Sequence, residues 1–374
     1  MTRRERLMAT LRGESVDRPP VNFYELNGLD EDPVDTDPYN IYSDPSWKPL
    51  IDLTRDKTDR IVMRSLFFDS FTPDPVDALA DIETIENENS RTHKKTLKTN
   101  TGKLTSRTRR DRDVNTIWTE EHYLKNTNDL KSFLEINLPE FDGTLDLNRV
   151  LDAERALGDT GIVMIDTPDP LCLAASLFNM EEYTIIAMTE PELFRTLLNK
   201  FAEYLYPRTD AVAKALPGRL WRIYGPEFAA PPYLPPNLFK EYVVGYDKTM
   251  IEMIQGNGGF ARIHSHGNTK DILNYIVETG AIGLDPIEPP PQGDVELKYV
   301  REKYGKDLVL FGNLEASDIE NMPTAQFEEK VKRALEEGTS GEGRGFVLLP
   351  SSCPYGRKLS PQAMKNYERI VENV

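Results

Sequence analysis

Short apolar runs, each ending in a polar or Gly/Pro-rich stretch, recur along the chain: "PPVNFYEL", "DRIVMRSLF", "GIVMIDTPD", "LWRIYGPEF", "FARIHSHGN", "AIGLDPIEP", "LVLFGNLEA" and "FVLLPSSCP". Runs of this length, bounded by turn residues, predict strands. Between most of them lie segments with apolar residues three and four apart, among them "PELFRTLLNKFAEYLYPRTDAVAKAL", "NLFKEYVVGYDKTMIEMIQ" and "AQFEEKVKRALEEG", which predict amphipathic helices. Eight strands alternating with helices predict an α/β fold, a (β/α)8 TIM barrel forming a single domain over residues 1–374.

The repeat is interrupted once. Almost a hundred residues separate the second run from the third. Within that interval "KKTLKTNTGKLTSRTRRD" alternates around "TNTGK" and predicts a β-hairpin, followed by the strand-like "NTIWTEEHYL". The reading is a hairpin inserted between strands 2 and 3, over about residues 90–125. Between Arg91 and Asp113 there are nine Lys+Arg against two Asp, a local +7 in a chain whose net charge is -17. Such segregation predicts a field that steers an acidic partner or an anionic substrate toward the hairpin. The competing reading is an edge hairpin whose lysines block strand-to-strand pairing.

Composition removes several function classes. No apolar run approaches the ~18 residues of a membrane span, and "MTRRERLMATLRGESVDRPP" has no apolar core of an export signal, so a soluble cytoplasmic protein is expected. With 45 Lys+Arg against 62 Asp+Glu, the chain lacks the basic footprint that nucleic-acid binding needs. Two cysteines, Cys172 and Cys353, are too few for a disulfide scaffold and fit a reducing compartment.

In such barrels chemistry sits where strands end, because the following loops line one mouth. The strand ends here carry Glu25, Arg64, Asp166, Glu227, His264 with His266, Asp285 with Glu288, Asn313 with Glu315, and Cys353. Side chains alternate faces along a strand, so His264 and His266 share one face and both can point into the mouth. Imidazole nitrogen and thiolate sulfur are zinc donors, and a catalytic zinc keeps three protein ligands and an open position. That makes His264, His266, Cys353 and Glu227 candidate metal ligands. Each also has a plainer reading: a hydrogen-bonded histidine pair without metal, a cysteine packed as a small hydrophobe, a loop carboxylate. Cys172 lies in an apolar helix-like stretch and is expected in the core. "GEGRG" at 341–345 looks like a dinucleotide glycine loop but precedes a strand and opens no helix, which is the wrong order for that fingerprint.

Four stretches, "RERLMATLRGESVDRPPV", "LPPNLFKEYVVGYDKTMIEMI", "RIHSHGNTKDILNYIVETGAIGLDPIE" and "LFGNLEA", resemble the uroporphyrinogen decarboxylase-like superfamily over nearly the whole chain. Within it they are similar to the corrinoid-dependent, zinc-containing methyltransferases. The decarboxylases carry an arginine-rich segment after the opening, to grip substrate carboxylates, where this chain reads "NFYELNGLDEDP". The methyltransferase branch has a His-x-Cys on the fifth strand, a later cysteine and an acidic residue from the fourth strand region. On that resemblance His264, Cys353 and Glu227 match, and His266 stands where cysteine is usual.

The resemblance implies zinc, and a corrinoid carried by a partner protein, since no D-x-H-x-x-G cobalamin motif occurs here. Nitrogen in place of sulfur makes zinc the better Lewis acid. The implied reaction is therefore methyl transfer between a small molecule, such as the methyl ether of an O-demethylase system, and the corrinoid protein. Glu227, Asp166 and Glu288 are the expected catalytic carboxylates, Glu227 and Glu288 each beside a proline, in "YGPEF" and "PIEPPP", that fixes the local backbone and aims the carboxylate. No nucleic acid or membrane partner is expected, and a homodimer is left open. Three alternatives remain: a metal-independent decarboxylase in which Asp166, His264 and Glu288 manage protons, transfer from a methylcorrinoid to a thiol or folate acceptor, and a non-catalytic ligand-sensing barrel.

Overall fold

A computed structural model of the chain describes residues 1–65 and 75–374. Eleven strands occur among them: β1 (Arg60–Ser65), β2 (Asp81–Glu86), β3 (Ser90–Thr99), β4 (Gly102–Asp111), β5 (Ile117–Glu121), β6 (Gly161–Pro168), β7 (Leu220–Tyr224), β8 (Phe260–His264), β9 (Gly283–Asp285), β10 (Val309–Leu314) and β11 (Phe346–Pro350). Seven of them form one parallel sheet in the order β1-β6-β7-β8-β9-β10-β11. Each is a predicted strand, and all but β1 follow the apolar runs in sequence with helices between them. Residues 66 and 67, the end of the "DRIVMRSLF" run, lie outside the described residues.

The first run, "PPVNFYEL", is the correction. Where the eighth strand was expected, only isolated bridges form, from Val21 to Leu348 of β11 and between Phe23 and Leu26. Asn22 N–H donates to Leu348 O at 3.0 Å, and Leu348 N–H donates to Pro20 O at 2.9 Å. On the other side Asp59 N–H donates to Val21 O, but Val21 N–H is taken by the Asp59 carboxylate at 2.9 Å rather than by a strand carbonyl. Pro19 and Pro20 have no N–H to offer a ladder. Asp59 is fully buried and also accepts from Arg6 Nη1 (2.6 Å) and Arg18 Nη1 (2.8 Å). The segment is thus bolted between the two edge strands by a buried carboxylate.

The insertion is larger than a hairpin. β2 to β5 make a four-stranded antiparallel sheet over Asp81–Glu121, with the expected hairpin as its middle pair. Leu97 and Leu104 face one another across that pair and are buried in the main core, which ties the sheet to the rest of the protein. β2 was missed because its six residues, DIETIE, are all exposed and give no buried face to read.

Helices cover the parallel sheet. In the long one, Pro191–Ala215, Phe194, Leu197, Leu198 and Phe201 are fully buried at helical spacing, each contributing roughly 1.5–3 kcal/mol of burial free energy. With one face on the sheet and the other in solvent, these helices leave the strand ends free for polar residues. None of the helices is long and apolar enough to cross a membrane, among the described residues.

Candidate active site

Strand register assembles the site. In parallel strands, residues in register stand side by side and residues two apart share a face. Asp166, Arg222 and Arg262 form one row across β6, β7 and β8. Tyr224, His264 and Asp285 form the next row, two residues nearer the carboxyl ends. Charged residues within otherwise buried strands need partners, and here they find one another. Arg222 grips Asp166 with two parallel bonds, Nε to Oδ1 at 2.6 Å and Nη2 to Oδ2 at 3.0 Å. Its Nη1 donates to the Tyr24 hydroxyl at 2.7 Å.

Asp285 is completely buried between Arg262 and His264. Arg262 Nε lies 2.8 Å from Oδ1, off the N–H axis, so the contact is an ion pair without hydrogen-bond geometry. His264 Nδ1 lies 2.9 Å from Oδ2. Burial pushes the Asp285 carboxyl up, but Arg262 and His264 outweigh it and hold the pKa at about 2. An ionised carboxylate only accepts hydrogen bonds, which places the proton of that contact on His264 Nδ1. The Tyr24 hydroxyl stands 3.4 Å from His264 Nε2. Tyr24 has φ 57°, a left-handed conformation that non-glycine residues adopt at a cost and that clusters at functional sites.

His266 lies just beyond β8, and its ring is nearly perpendicular to that of His264, with centroids 4.6 Å apart. Its Nδ1 is 2.8 Å from Glu288 Oε1, while Gly267 N–H donates to Oε2 at 2.7 Å. Burial lowers the His266 pKa, but the Glu288 hydrogen bond and charge reverse this and raise it above the ordinary value. Glu288 is correspondingly lowered, burial being outweighed by His266 and by Gly267 N–H. Glu315, 6% exposed, accepts a long 3.3 Å bond from Ser351 on one oxygen and has no partner on the other among the described residues. Burial, then repulsion from Glu288, pushes its pKa up to about 7.

Of the expected site residues, His264, His266, Asp285, Glu288 and Asp166 are brought together, with Glu315 beside them. Glu227 sits in a turn after β7, accepts from Gly225 N–H at 3.0 Å, and is close enough for its charge to act on His266. Cys353 lies against the Phe23–Tyr24 segment beside this cluster: its thiol points to Phe23 O at 3.5 Å and packs with the residues around Tyr24, whose hydroxyl reaches His264. It keeps some accessible surface, yet its dense surroundings push the thiol pKa well up. Arg64 pairs with Asp30, and Glu25 reaches only to 3.9 Å from Arg222. Cys172, expected in the core, is half-buried. Tyr24, Arg222 and Arg262 were missed, although a charged residue inside "LWRIY" and another inside "FARIH" were a readable signal.

The histidines suit a metal in part. Metal-binding imidazoles usually give their second nitrogen to a carboxylate, which fixes the ring and its tautomer. His264 and His266 both do so; Nε2 of His266 is left for a ligand, and that of His264 faces the Tyr24 hydroxyl at 3.4 Å. Cys353 and Glu227 do not close around them: among the described residues, no three His, Cys, Asp or Glu side chains gather in a metal-holding group. The donor types fit zinc; the full set is not preassembled.

Parallel strands wrapped by helices, with a polar cluster at the carboxyl ends, define the class of α/β proteins that place chemistry at that end of the sheet. Within that class, the chain belongs to the uroporphyrinogen decarboxylase (URO-D) family, whose sequence profile matches residues 130–369. No curated protein sequence matches the chain. Among solved structures it is similar to a methyltransferase from Methanosarcina mazei, at 17% identity and a TM-score of 0.65, over 100% of this chain and 98% of that one. At that identity the likeness shows the fold alone. A D-psicose 3-epimerase, solved in the presence of D-fructose, aligns at 9% identity and a TM-score of 0.37, over 61% of this chain and 82% of that one.

Proposed function

We propose that the chain is a URO-D-family methyltransferase that moves a methyl group between a small molecule and a corrinoid carried by a partner protein. The observation that carries this reading is the pair His264 and His266, each fixed through Nδ1 by a carboxylate from the next strand region, with Nε2 of His266 left for a ligand and that of His264 facing the Tyr24 hydroxyl. The fold shared with a methyltransferase supports it. Zinc held by these two nitrogens, with Glu227 and Cys353 as the further donors, would supply a Lewis acid to polarise the oxygen of a methyl ether. The chain's own residues do the rest. Asp285 and Glu288 hold the two rings in one tautomer, Arg222 keeps Asp166 and Tyr24 in place, and Glu315 holds a proton near neutral pH for the departing alkoxide.

The test is zinc analysis of the purified protein together with methyl transfer from a panel of methyl ethers to cob(I)alamin, followed by its spectral change. About one zinc per chain is expected, with both zinc and turnover lost in His264→Ala and His266→Ala. Absence of metal binding and of transfer in the unaltered protein overturns the reading.

A second reading has its own support. Tyr24 and His264, oriented by the Asp166–Arg222 pair, and the neutral-range Glu315 can hold protons without metal, and among the described residues the four expected zinc donors are not gathered. This fits a metal-independent decarboxylase. It predicts carbon dioxide release from a carboxylated substrate that survives chelation undiminished.

A further inference from the structure

The opposite end of the parallel sheet, where strands begin, holds a cavity of about 340 Å3. Its wall includes the "GEGRG" segment, which takes no part in the candidate site, together with Thr10, Gly13 and Arg301. Arg301 is 6% exposed, and its side chain makes one hydrogen bond, from Nε to Ser340 O at 2.9 Å. Its Nη1 is buried with no partner among the described residues. Gly343 lies flat against this guanidinium, so closely that a Cβ there would fall 2.4 Å from Cζ and Nη1. Arg344 is tethered by its backbone N–H to Gly305 O at 2.7 Å, and its Nε is likewise buried and unpartnered. Among the described residues neither arginine forms an ion pair. Burial alone pushes the Arg301 pKa down, with no carboxylate offsetting it.

Buried charges are ordinarily paired, because an isolated one costs several kcal/mol or more. Helix ends are the alternative source of compensation. Three helices finish at this cavity, Arg3–Arg12, Leu297–Tyr304 and Thr324–Thr339, each bringing roughly half a negative charge. Some of their last carbonyls are engaged elsewhere: Gly13 N–H donates to Thr10 O, Glu14 N–H to Ala9 O, Leu308 N–H to Tyr304 O, and the Ser340 hydroxyl to Glu337 O. Glu14, also on the wall, pairs with Arg12 at 3.8 Å. Two guanidinium charges therefore face the cavity with one carbonyl bond between them.

We propose that this cavity binds a small phosphate-bearing anion, either free phosphate or a phosphomonoester, held by Arg301 and Arg344. The charge of a phosphate dianion matches two guanidinium groups, whose planar N–H forks suit its oxygens. The volume lies at the small end of ligand pockets, roughly 300–1,000 Å3. The site is separate from the histidine cluster and independent of the methyltransferase reading.

Thermal unfolding tests it, with inorganic phosphate or glycerol phosphate titrated at ionic strength held constant with chloride. A ligand that binds only the folded state raises the midpoint saturably. Arg344→Gln is expected to keep the ligand-free midpoint and raise the half-saturating concentration at least tenfold, whereas His266→Ala leaves the response unchanged. Arg301→Met is expected to abolish the response without lowering the ligand-free midpoint, since it removes an uncompensated charge. A lower half-saturating concentration for glycerol phosphate than for phosphate assigns the site to an organic phosphomonoester, and equal values assign it to phosphate itself. A phosphate response no greater than that of matched chloride, or one that persists in both arginine variants, overturns the proposal and leaves the arginines as helix caps.

Discussion

His266 and Glu288 form a closed hydrogen-bonded unit: Nδ1 lies 2.8 Å from one carboxylate oxygen, and Gly267 N–H holds the other at 2.7 Å. The unit joins the end of β8 to the loop after β9 and has a definite pH signature. His266 is raised, so its contribution is fully present below the ordinary histidine pKa and is lost as pH rises through the folded value. Glu288 is lowered, so its contribution is present above the ordinary glutamate pKa and is lost as pH falls through the folded value. In metal-free protein, Glu288→Gln should therefore be destabilising chiefly between the ordinary glutamate and histidine pKa values, at about pH 5–6, and less so as pH rises through the folded His266 value. Urea unfolding of both proteins across that range measures it; a pH-independent difference would contradict the pairing.

Glu315 should behave in the opposite sense. Its folded pKa of about 7 is above the ordinary 4.5, so the folded state holds the proton longer and stability falls as pH rises through that window. The ionised form costs on the order of 3 kcal/mol. Glu315→Gln should be more stable than the parent above pH 7, lose that advantage toward pH 4, and turn over more slowly if Glu315 holds a proton for the reaction. Denaturant midpoints at pH 5 and pH 8 decide the first part, and initial rates decide the second.

The inserted sheet is less basic than the hairpin alone suggested. Across residues 81–121 nine Lys+Arg meet eight Asp+Glu, leaving 9 - 8 = +1. Arg107 pairs with Glu120 at 2.9 Å, Arg109 with Asp111 at 2.8 Å, and Arg110 donates to Tyr39 O at 2.7 Å. The edge strands thus neutralise the field expected to steer an acidic partner. Reversing Arg107, Arg109 and Arg110 to glutamate should cost about 1–3 kcal/mol of stability and leave the salt dependence of any partner association nearly unchanged. A steep change in that dependence with full stability would restore the docking reading.

How much of this was legible depends on where burial speaks. Seven strands announced themselves because both faces of a parallel strand are covered and the run turns continuously apolar. Residues 20–22 carry the same signal, but prolines and the Asp59 carboxylate replace the ladder with a bridge. β2 is invisible for the converse reason, since none of its residues is buried. The histidines could be found by their spacing and the acids by their position at strand ends. Which acid holds which histidine could not, because Asp285 and Glu288 meet their partners only through the stagger of β8 and β9. Cys353 shows the limit of strand-end reasoning: the last strand delivers it to the right end of the sheet, but the chain after Pro350 turns it toward Phe23.

The bolt at Asp59 also orders events in time. Val21 and Asp59 are 38 residues apart in the chain, whereas Val21's other neighbour, Leu348, is made 348 - 21 = 327 residues later. The contacts that cap the first edge of the sheet with the segment 20–22 are thus available during synthesis before β11 exists, while the outer side of that segment needs β11. An incomplete chain is protected on one flank and open on the other, which places the aggregation-sensitive surface of the nascent protein on its growing edge.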